Sequence, residues 1–167
     1  PIDYKYMIFA KHLGTSVARF VIYTLPLGIL VAVFYHGELI CKEQLVYGFI
    51  SIILAYVIQF LYSLIIGLMA FWLIVTWPLN MLLAAIYKLL SGSWIPTAMF
   101  PELLTKINMF LPFRAIYAIP VTIITTPMSS KSICENISVQ LVWVAVLLLV
   151  SEAVWIVGKK KLVVQGG

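Results

Sequence analysis

Four apolar stretches, each about as long as a membrane is thick, dominate this sequence. They lie at residues 16–35, 45–66, 71–90 and 139–157. Twenty helical residues extend ~30 Å, which matches the hydrocarbon core of a bilayer. The chain is 63% hydrophobic and 10% charged, whereas soluble domains are about half apolar and a quarter charged. The sequence therefore predicts an all-α integral membrane protein with four transmembrane helices.

Positive charges indicate how these helices are oriented. Lys159–Lys161 directly follow the last apolar stretch, and lysine clusters at such positions are typical of the cytoplasmic side. Four spans then place the N-terminus on the same side, and they place residues 36–44 and 91–138 outside. The other cations are scattered, so the net charge of +5 does not form the basic face that nucleic-acid binding requires. We therefore expect contact with the lipid bilayer and no nucleic-acid partner.

Residues 92–127 differ from the four spans because they contain five of the chain's eight prolines. Each proline removes a backbone donor and disfavours helix at the preceding residue. The apolar pieces between the prolines are too short to cross a bilayer, and a broken helix facing lipid would leave backbone groups unpaired. We therefore expect two short helices, about 101–111 and 114–125, that form an external re-entrant elbow.

Few strongly polar residues interrupt the spans, and they are the candidates for functional contacts inside the membrane. These candidates are Gln59, Asn80 and Glu152. The favoured interpretation of Gln59 is a hydrogen bond between helices, and the alternative is contact with a substrate. Glu152 is the only acid within a span, which indicates function by default. It also lies close to the lysine cluster, so a structural role is the favoured interpretation.

Motifs of catalytic sites are missing from the sequence. It contains no Gly-x-x-x-x-Gly-Lys-Ser/Thr loop for ATP phosphates, no His-Glu-x-x-His metal motif and no Gly-x-Ser-x-Gly nucleophile turn. His12 and His36 are expected on opposite sides of the membrane, which argues against a shared metal site. We therefore expect no enzyme activity, no catalytic residue and no metal or cofactor bound by this chain.

Both cysteines, Cys41 and Cys134, fall on the predicted external side. A disulfide is compatible with an oxidising compartment, but the sequence gives no distance between the two residues. Two free thiols are the favoured interpretation, and a disulfide is the alternative.

The order of residues in the proline-rich segment resembles that of a known transporter family. A turn of small residues is followed by Ile-Pro, Phe-Pro, Leu-Pro-Phe, and then an aromatic residue and a proline. The residues concerned are Gly92, Pro96, Pro101, Pro112, Phe113 and Pro120. In this order they are similar to the type-2 permeases of ATP-binding-cassette (ABC) transporters. The resemblance implies that the segment forms a pair of re-entrant external helices before the last span.

The start of the chain also resembles these permeases. Residues 1–14, PIDYKYMIFAKHLG, are similar to the family's cytoplasmic segment whose amphipathic coupling helix docks on the ATPase subunit. The docking residues would then be Asp3, Tyr4, Lys5, Tyr6, Phe9 and Lys11. The alternative is an amphipathic helix that lies on the lipid surface. The resemblance covers nearly the whole chain as one permease domain and implies that the first two of six spans are absent.

The resemblance implies a function as the permease subunit of an ABC exporter, in the cytoplasmic membrane of a bacterium. A separate ATPase subunit would bind ATP and Mg²⁺, and a second permease subunit, identical or different, would complete a dimer. Gln59, Asn80 and Glu152 would then be the candidate residues of a transport pathway. The sparse polar groups in the spans favour a hydrophobic or amphiphilic cargo. The alternative is a channel-like or scaffold membrane protein that works without an ATPase.

Overall fold

The computed structural model describes residues 4–34, 40–73, 75 and 77–161, and every regular element in these residues is helical. The helices are α1 (Tyr4–Arg19), α2 (Leu25–Phe34), α3 (Leu45–Leu68), α4 (Trp77–Leu90), α5 (Glu102–Met109), α6 (Phe113–Ile116), α7 (Ala118–Thr125) and α8 (Ser130–Gly158). The prediction of an all-α protein is therefore confirmed.

In the described part of the chain, three helical stretches are long and apolar enough to cross a membrane. They span Ala10–Leu30, Lys42–Phe71 and Ser130–Gly158, with 21, 30 and 29 residues. At ~1.5 Å per residue, even the shortest extends ~30 Å. They contain most of the first, second and fourth predicted spans, and the prediction of several long apolar helices is confirmed.

The helix in the third predicted span is shorter than expected. α4 begins at Trp77 rather than at residue 71 and has 14 residues. Its length is therefore ~21 Å, less than the ~30 Å of a hydrocarbon core. Pro78 explains the late start, because proline lacks the backbone N–H that a helix interior needs and is favoured in the first turn. A fourth complete crossing stays a prediction.

The N-terminal helix continues where the sequence analysis expected a boundary between residues 14 and 16. α1 leads through a π-helical turn at Phe20–Thr24 directly into α2. The expected boundary contains no proline, and its single glycine lowers helix stability by only about 1 kcal/mol. The π-helical turn precedes Pro26, where a wider turn accommodates the missing N–H. The predicted coupling segment and the first span therefore share one helical rod.

Helices α3 and α8 pack along each other at the centre of the fold, and α6 and α7 pack against α3. The buried apolar side chains between these helices form one core. They include Ile58, Leu61, Leu64, Ile116, Ile119, Ile123 and Leu147. The proline-rich segment is thus folded onto the long helices.

Close contacts hold α3 at both of its ends. A Cβ atom placed on Gly48 would lie 2.6 Å from Cγ1 of Ile124, so the glycine lets α7 approach α3 closely. At the other end, Phe71 packs against Gly158 of α8 and against the Trp155 ring, at 5.9 Å between ring centroids. α7 therefore fixes the start of α3, and α8 fixes its end.

Helices α3 and α4 form an antiparallel hairpin. The Tyr62 hydroxyl donates to the carbonyl of Leu83 at 3.2 Å, and its ring centroid lies 6.1 Å from that of Tyr87. A short 3-10 turn at Met69–Phe71 ends α3. α3 therefore ends at Leu68, two residues beyond the predicted end of the second span.

The proline-rich segment contains three short helices of the α type instead of the expected two. α5 begins directly after Pro101, close to the predicted start. The second expected helix divides into α6 and α7 at Tyr117, whose φ is −125° and ψ is −53°. Pro120 explains the break, because it cannot donate to the carbonyl of Ile116 and its ring crowds that carbonyl. An elbow of short helices is present, and its re-entrant position in a membrane stays a prediction.

Candidate functional site

Buried side-chain amides donate to carbonyl groups at the breaks in the proline-rich segment. Gln140 of α8 is fully buried, and its Nε2 donates to the carbonyl of Ala115 at 2.8 Å and to that of Ser51 at 3.1 Å. Ser51 Oγ donates to Gln140 Oε1 at 2.9 Å. Because a buried carbonyl without a donor costs about 1–3 kcal/mol, this network stabilises the junction of α3, α6 and α8.

Asn108 of α5 has the same role at the end of α4. Its Nδ2 donates at 2.9 Å to the carbonyl of Leu90, one of the last carbonyls of α4, which lack a helical partner. The turn that follows requires Gly92, whose φ of +89° suits a residue without Cβ. Lys88 Nζ lies 5.5 Å from the centre of the Trp94 ring and secures the same turn by a cation–π contact. The small-residue turn of the motif therefore has a structural role.

Gln44, directly before α3, has this role at the end of α7. In the amide orientation that satisfies its neighbours, Nε2 donates to the carbonyls of Ile123 (2.7 Å) and Thr126 (3.2 Å). Its Oε1 accepts from the backbone N–H of Met128 at 2.8 Å. None of these three amides was predicted to be a functional residue. The available signal was weak, because Asn108 lies within the proline-rich segment whereas Gln44 and Gln140 lie near the starts of the second and fourth apolar stretches.

The predicted elbow residues occupy two kinds of environment. Pro112, Phe113 and Pro120 are buried, and the Phe113 ring meets an aromatic ring of α3 edge-on, at 5.5 Å between centroids. Pro96 and Pro101 are exposed, and each directly precedes a short helical element. The first group packs the elbow against α3, and the second group sets where its helices begin.

Two of the three candidate pathway residues line one cavity between α3 and α4. This α3–α4 cavity has a volume of about 260 Å³ and is bounded by Gln59 and Asn80. Its other lining residues are Tyr62, Ser63, Ile66, Ala84, Tyr87 and Lys88. In the described part of the chain Gln59 forms no hydrogen bond between helices, contrary to the favoured interpretation. Its amide is therefore available to a molecule in the cavity.

Glu152, the third candidate, lies apart from the other two. It is exposed near the C-terminal end of α8 and does not line the α3–α4 cavity. The structure therefore brings the two amides together without the acid, and a pathway role for Glu152 stays a prediction.

The predicted ATPase-docking residues lie at the start of α1. Asp3 lies outside the described residues, as do the side chains of Tyr4, Lys5, Tyr6 and Phe9, whereas Lys11 is exposed. His12 fixes α1 to α3, because its Nδ1 and the Tyr56 hydroxyl share a hydrogen bond of 3.0 Å. Tyr56 lies at the middle of α3. The end of the predicted docking segment thus packs against the helix bundle, and the cytoplasmic position of residues 1–14 stays a prediction.

Cys41 and Cys134 are both free thiols in this structure, in agreement with the favoured interpretation. Within the ranges that the structure describes, no group of three or more His, Cys, Asp or Glu side chains lies close enough to hold a metal ion. The candidate site instead offers amides, hydroxyls and phenols between apolar helices. Such groups can bind a molecule that has both polar and apolar parts.

Comparison with known protein families agrees with the resemblance to type-2 ABC permeases that was noted for residues 1–14 and for the proline-rich segment. A protein-family model described as ABC-2 family transporter protein matches residues 1–166. No curated protein and no solved structure matches the chain significantly. The long apolar helices are those expected of a membrane component. The chain therefore belongs to the ABC-2 transporter family and is a membrane-spanning permease component of an ABC transporter.

Proposed function

We propose that this chain is the permease subunit of an exporter that moves a hydrophobic or amphiphilic cargo. A separate ATPase subunit binds ATP and Mg²⁺ and supplies the energy. A second permease subunit, a copy of this chain or a related one, completes the pathway across the cytoplasmic membrane of a bacterium. The observation that carries the proposal is the family match over residues 1–166, which includes both the N-terminal helix and the elbow.

The continuous N-terminal helix supports a mechanical link between the ATPase and the membrane. α1 and α2 follow one another through the π-helical turn without a loop, so a displacement at Tyr4 is transmitted along the helix axis. The bond from His12 to Tyr56, 3.0 Å long, passes part of this displacement to α3. Because α3 also lines the α3–α4 cavity, movement of α1 changes the shape of that cavity. Rocking of the helix bundle in this way gives alternating access.

The lining of the α3–α4 cavity supports an amphiphilic cargo. Gln59 and Asn80 present amide donors and acceptors, and Lys88 adds a positive charge. Ile66 and Ala84 line the same space with apolar groups. A polar headgroup is bound by the amides and the ammonium group, while its apolar part contacts the apolar helix surfaces.

The test of the docking site is site-specific photo-crosslinking in cells. The protein is expressed from its own gene together with the neighbouring genes, with a photo-reactive residue in place of Tyr6 or, as a control, of Lys131. Lys131 is exposed at the start of α8, on the opposite side of the predicted topology. We expect a nucleotide-binding polypeptide to be crosslinked from position 6 and not from position 131. Crosslinks from position 131, or from neither position, would contradict the assignment.

Substitution of the aromatic docking residues provides a second test. Alanine at Tyr4, Tyr6 and Phe9 removes the apolar anchors that hold a docking helix in a groove. We expect the ATPase to dissociate while the protein still inserts into the membrane. Unchanged association would place the docking surface elsewhere on the chain.

A further inference from the structure

The short helices of the elbow enclose a second cavity. This elbow cavity has a volume of about 350 Å³, and its walls come from the turn before α5 and from α5, α6, α7 and α8. Its polar wall includes Thr97, Asn108, Arg114, Thr122 and Asn136. The volume falls in the range of sites for small molecules or headgroups, about 300–1,000 Å³. It is separate from the α3–α4 cavity, with which it shares no lining residue.

Arg114 places a positive charge in the wall of this cavity. Its side chain is half-buried, and among the described residues it forms no hydrogen bond or ion pair. Lys106, also in the elbow, is by contrast exposed and paired with Glu102 at 2.6 Å. A partly buried guanidinium group without a counter-charge is unfavourable, and its planar donors suit the oxygen atoms of a phosphate. The Arg114 guanidinium therefore offers its donors to an anion bound in the cavity.

Asn108, which also lines this cavity, carries a buried acceptor without a partner in the described part of the chain. The residue is only 3% exposed, and its Nδ2 already donates to the carbonyl of Leu90. Its Oδ1 is buried and has no hydrogen-bond partner in the described part of the chain. Buried polar atoms are nearly always paired in folded proteins, so this carbonyl oxygen is a ready acceptor for a donor group that enters the cavity. A ligand that matches both residues is an anion that also carries a hydrogen-bond donor.

We propose that the elbow cavity binds a phosphate group that carries a neighbouring hydroxyl or amine, such as glycerol phosphate or the headgroup of phosphatidylglycerol. The Arg114 guanidinium donates to the phosphate oxygens. The neighbouring hydroxyl or amine donates to Asn108 Oδ1, after a small side-chain adjustment that opens this buried atom. Binding here requires neither ATP hydrolysis nor transport, so it is independent of the proposed export function.

The test is isothermal titration calorimetry on the purified full-length protein with its native partners in a neutral detergent. The probes are glycerol phosphate, phosphocholine, glycerol and short-chain phosphatidylglycerol. We expect glycerol phosphate to bind more tightly than phosphocholine, which has no donor group, and glycerol to show no binding. If the lipid binds more tightly than glycerol phosphate, the natural ligand of the cavity is a membrane lipid headgroup. Equal binding identifies a free phosphate ester.

Matched variants locate the site. Arg114→Gln should weaken binding by about tenfold or more, because hydrogen bonds to charged groups contribute about 1.5–3 kcal/mol. Lys131→Gln removes the same charge from an exposed residue that does not line the cavity, and it should change the affinity less than twofold. Ala98→Trp fills the cavity while it keeps Arg114, and it should also abolish binding, which provides a test if the arginine variant does not fold.

Three results would overturn the proposal. The first is the absence of measurable binding of every phosphate probe to the unaltered protein. The second is equal affinity of the Arg114→Gln and Lys131→Gln variants for glycerol phosphate. The third is unchanged binding to a folded Ala98→Trp variant.

Discussion

Replacement of Gln140 by leucine should lower the free energy of unfolding more than the replacement of any other single amide in the spans. The exchange removes three hydrogen bonds, two to carbonyls and one from Ser51 Oγ. Hydrogen bonds between membrane helices contribute about 0.6 kcal/mol each on average, or about 2 kcal/mol for three. The carbonyl of Ala115 is left buried without a donor, which costs about 1–3 kcal/mol. Leucine has a similar volume and adds no large packing change, so we expect a total loss of about 3–5 kcal/mol in the free energy of unfolding.

Gln59→Leu is the matched control for this experiment. It makes the same chemical change in an apolar helix, but Gln59 has no hydrogen-bond partner among the described residues. Its effect should therefore stay within about 0.5 kcal/mol. The assay is unfolding by titration with sodium dodecyl sulfate in mixed micelles, followed by far-ultraviolet circular dichroism. Equal stabilities of the Gln140→Leu and Gln59→Leu variants would refute the role assigned to the buried network.

Two further predictions concern the contact between α3 and α7 and the α3–α4 cavity. Gly48→Ala places a methyl group 2.6 Å from a side-chain carbon of Ile124, so it should lower the free energy of unfolding by about 1–3 kcal/mol. The control Gly67→Ala meets no atom within 4 Å and should be neutral or slightly stabilising. Equal melting temperatures of the two variants would contradict the close approach of α7. Leucine at both Gln59 and Asn80 should lower transport at least tenfold in vesicles without changing ATPase association, and unchanged transport would remove the α3–α4 cavity from the pathway.

The length of the apolar stretches made the long helices predictable, because a bilayer fixes how many residues a span needs. The prolines likewise indicated a broken segment, since each removes a backbone donor. The start of α4 was less predictable. α4 begins at Trp77 because Pro78 is suited to the first turn of a helix. The hydropathy of residues 71–76 is nevertheless typical of a membrane span, so hydropathy alone predicts an earlier start.

The roles of the polar residues could not be predicted from their positions along the chain. Gln59 and Gln140 are both single glutamines in apolar helices, and the sequence does not distinguish them. Gln140 faces the free carbonyl of Ala115 across the core, whereas Gln59 lines a cavity. The difference depends on where the break at Tyr117 places a carbonyl, which is a property of the folded chain.

The boundary of the N-terminal segment illustrates the limit of a family resemblance. The resemblance divides a coupling segment from the first span near residue 14, but the residues around Gly14 contain nothing that ends a helix. Local propensity therefore lets α1 continue, and His12 then packs beside Tyr56. A domain boundary in a family pattern is not necessarily a break in secondary structure.

The most direct test of the proposed function is purification of the protein with its native neighbours in a mild detergent, followed by measurement of the bound subunits. The proposed function predicts a stoichiometric nucleotide-hydrolysing subunit that is lost when residues 3–11 are altered. A pure, folded complex without any ATPase would contradict it and would favour a channel-like or scaffold protein.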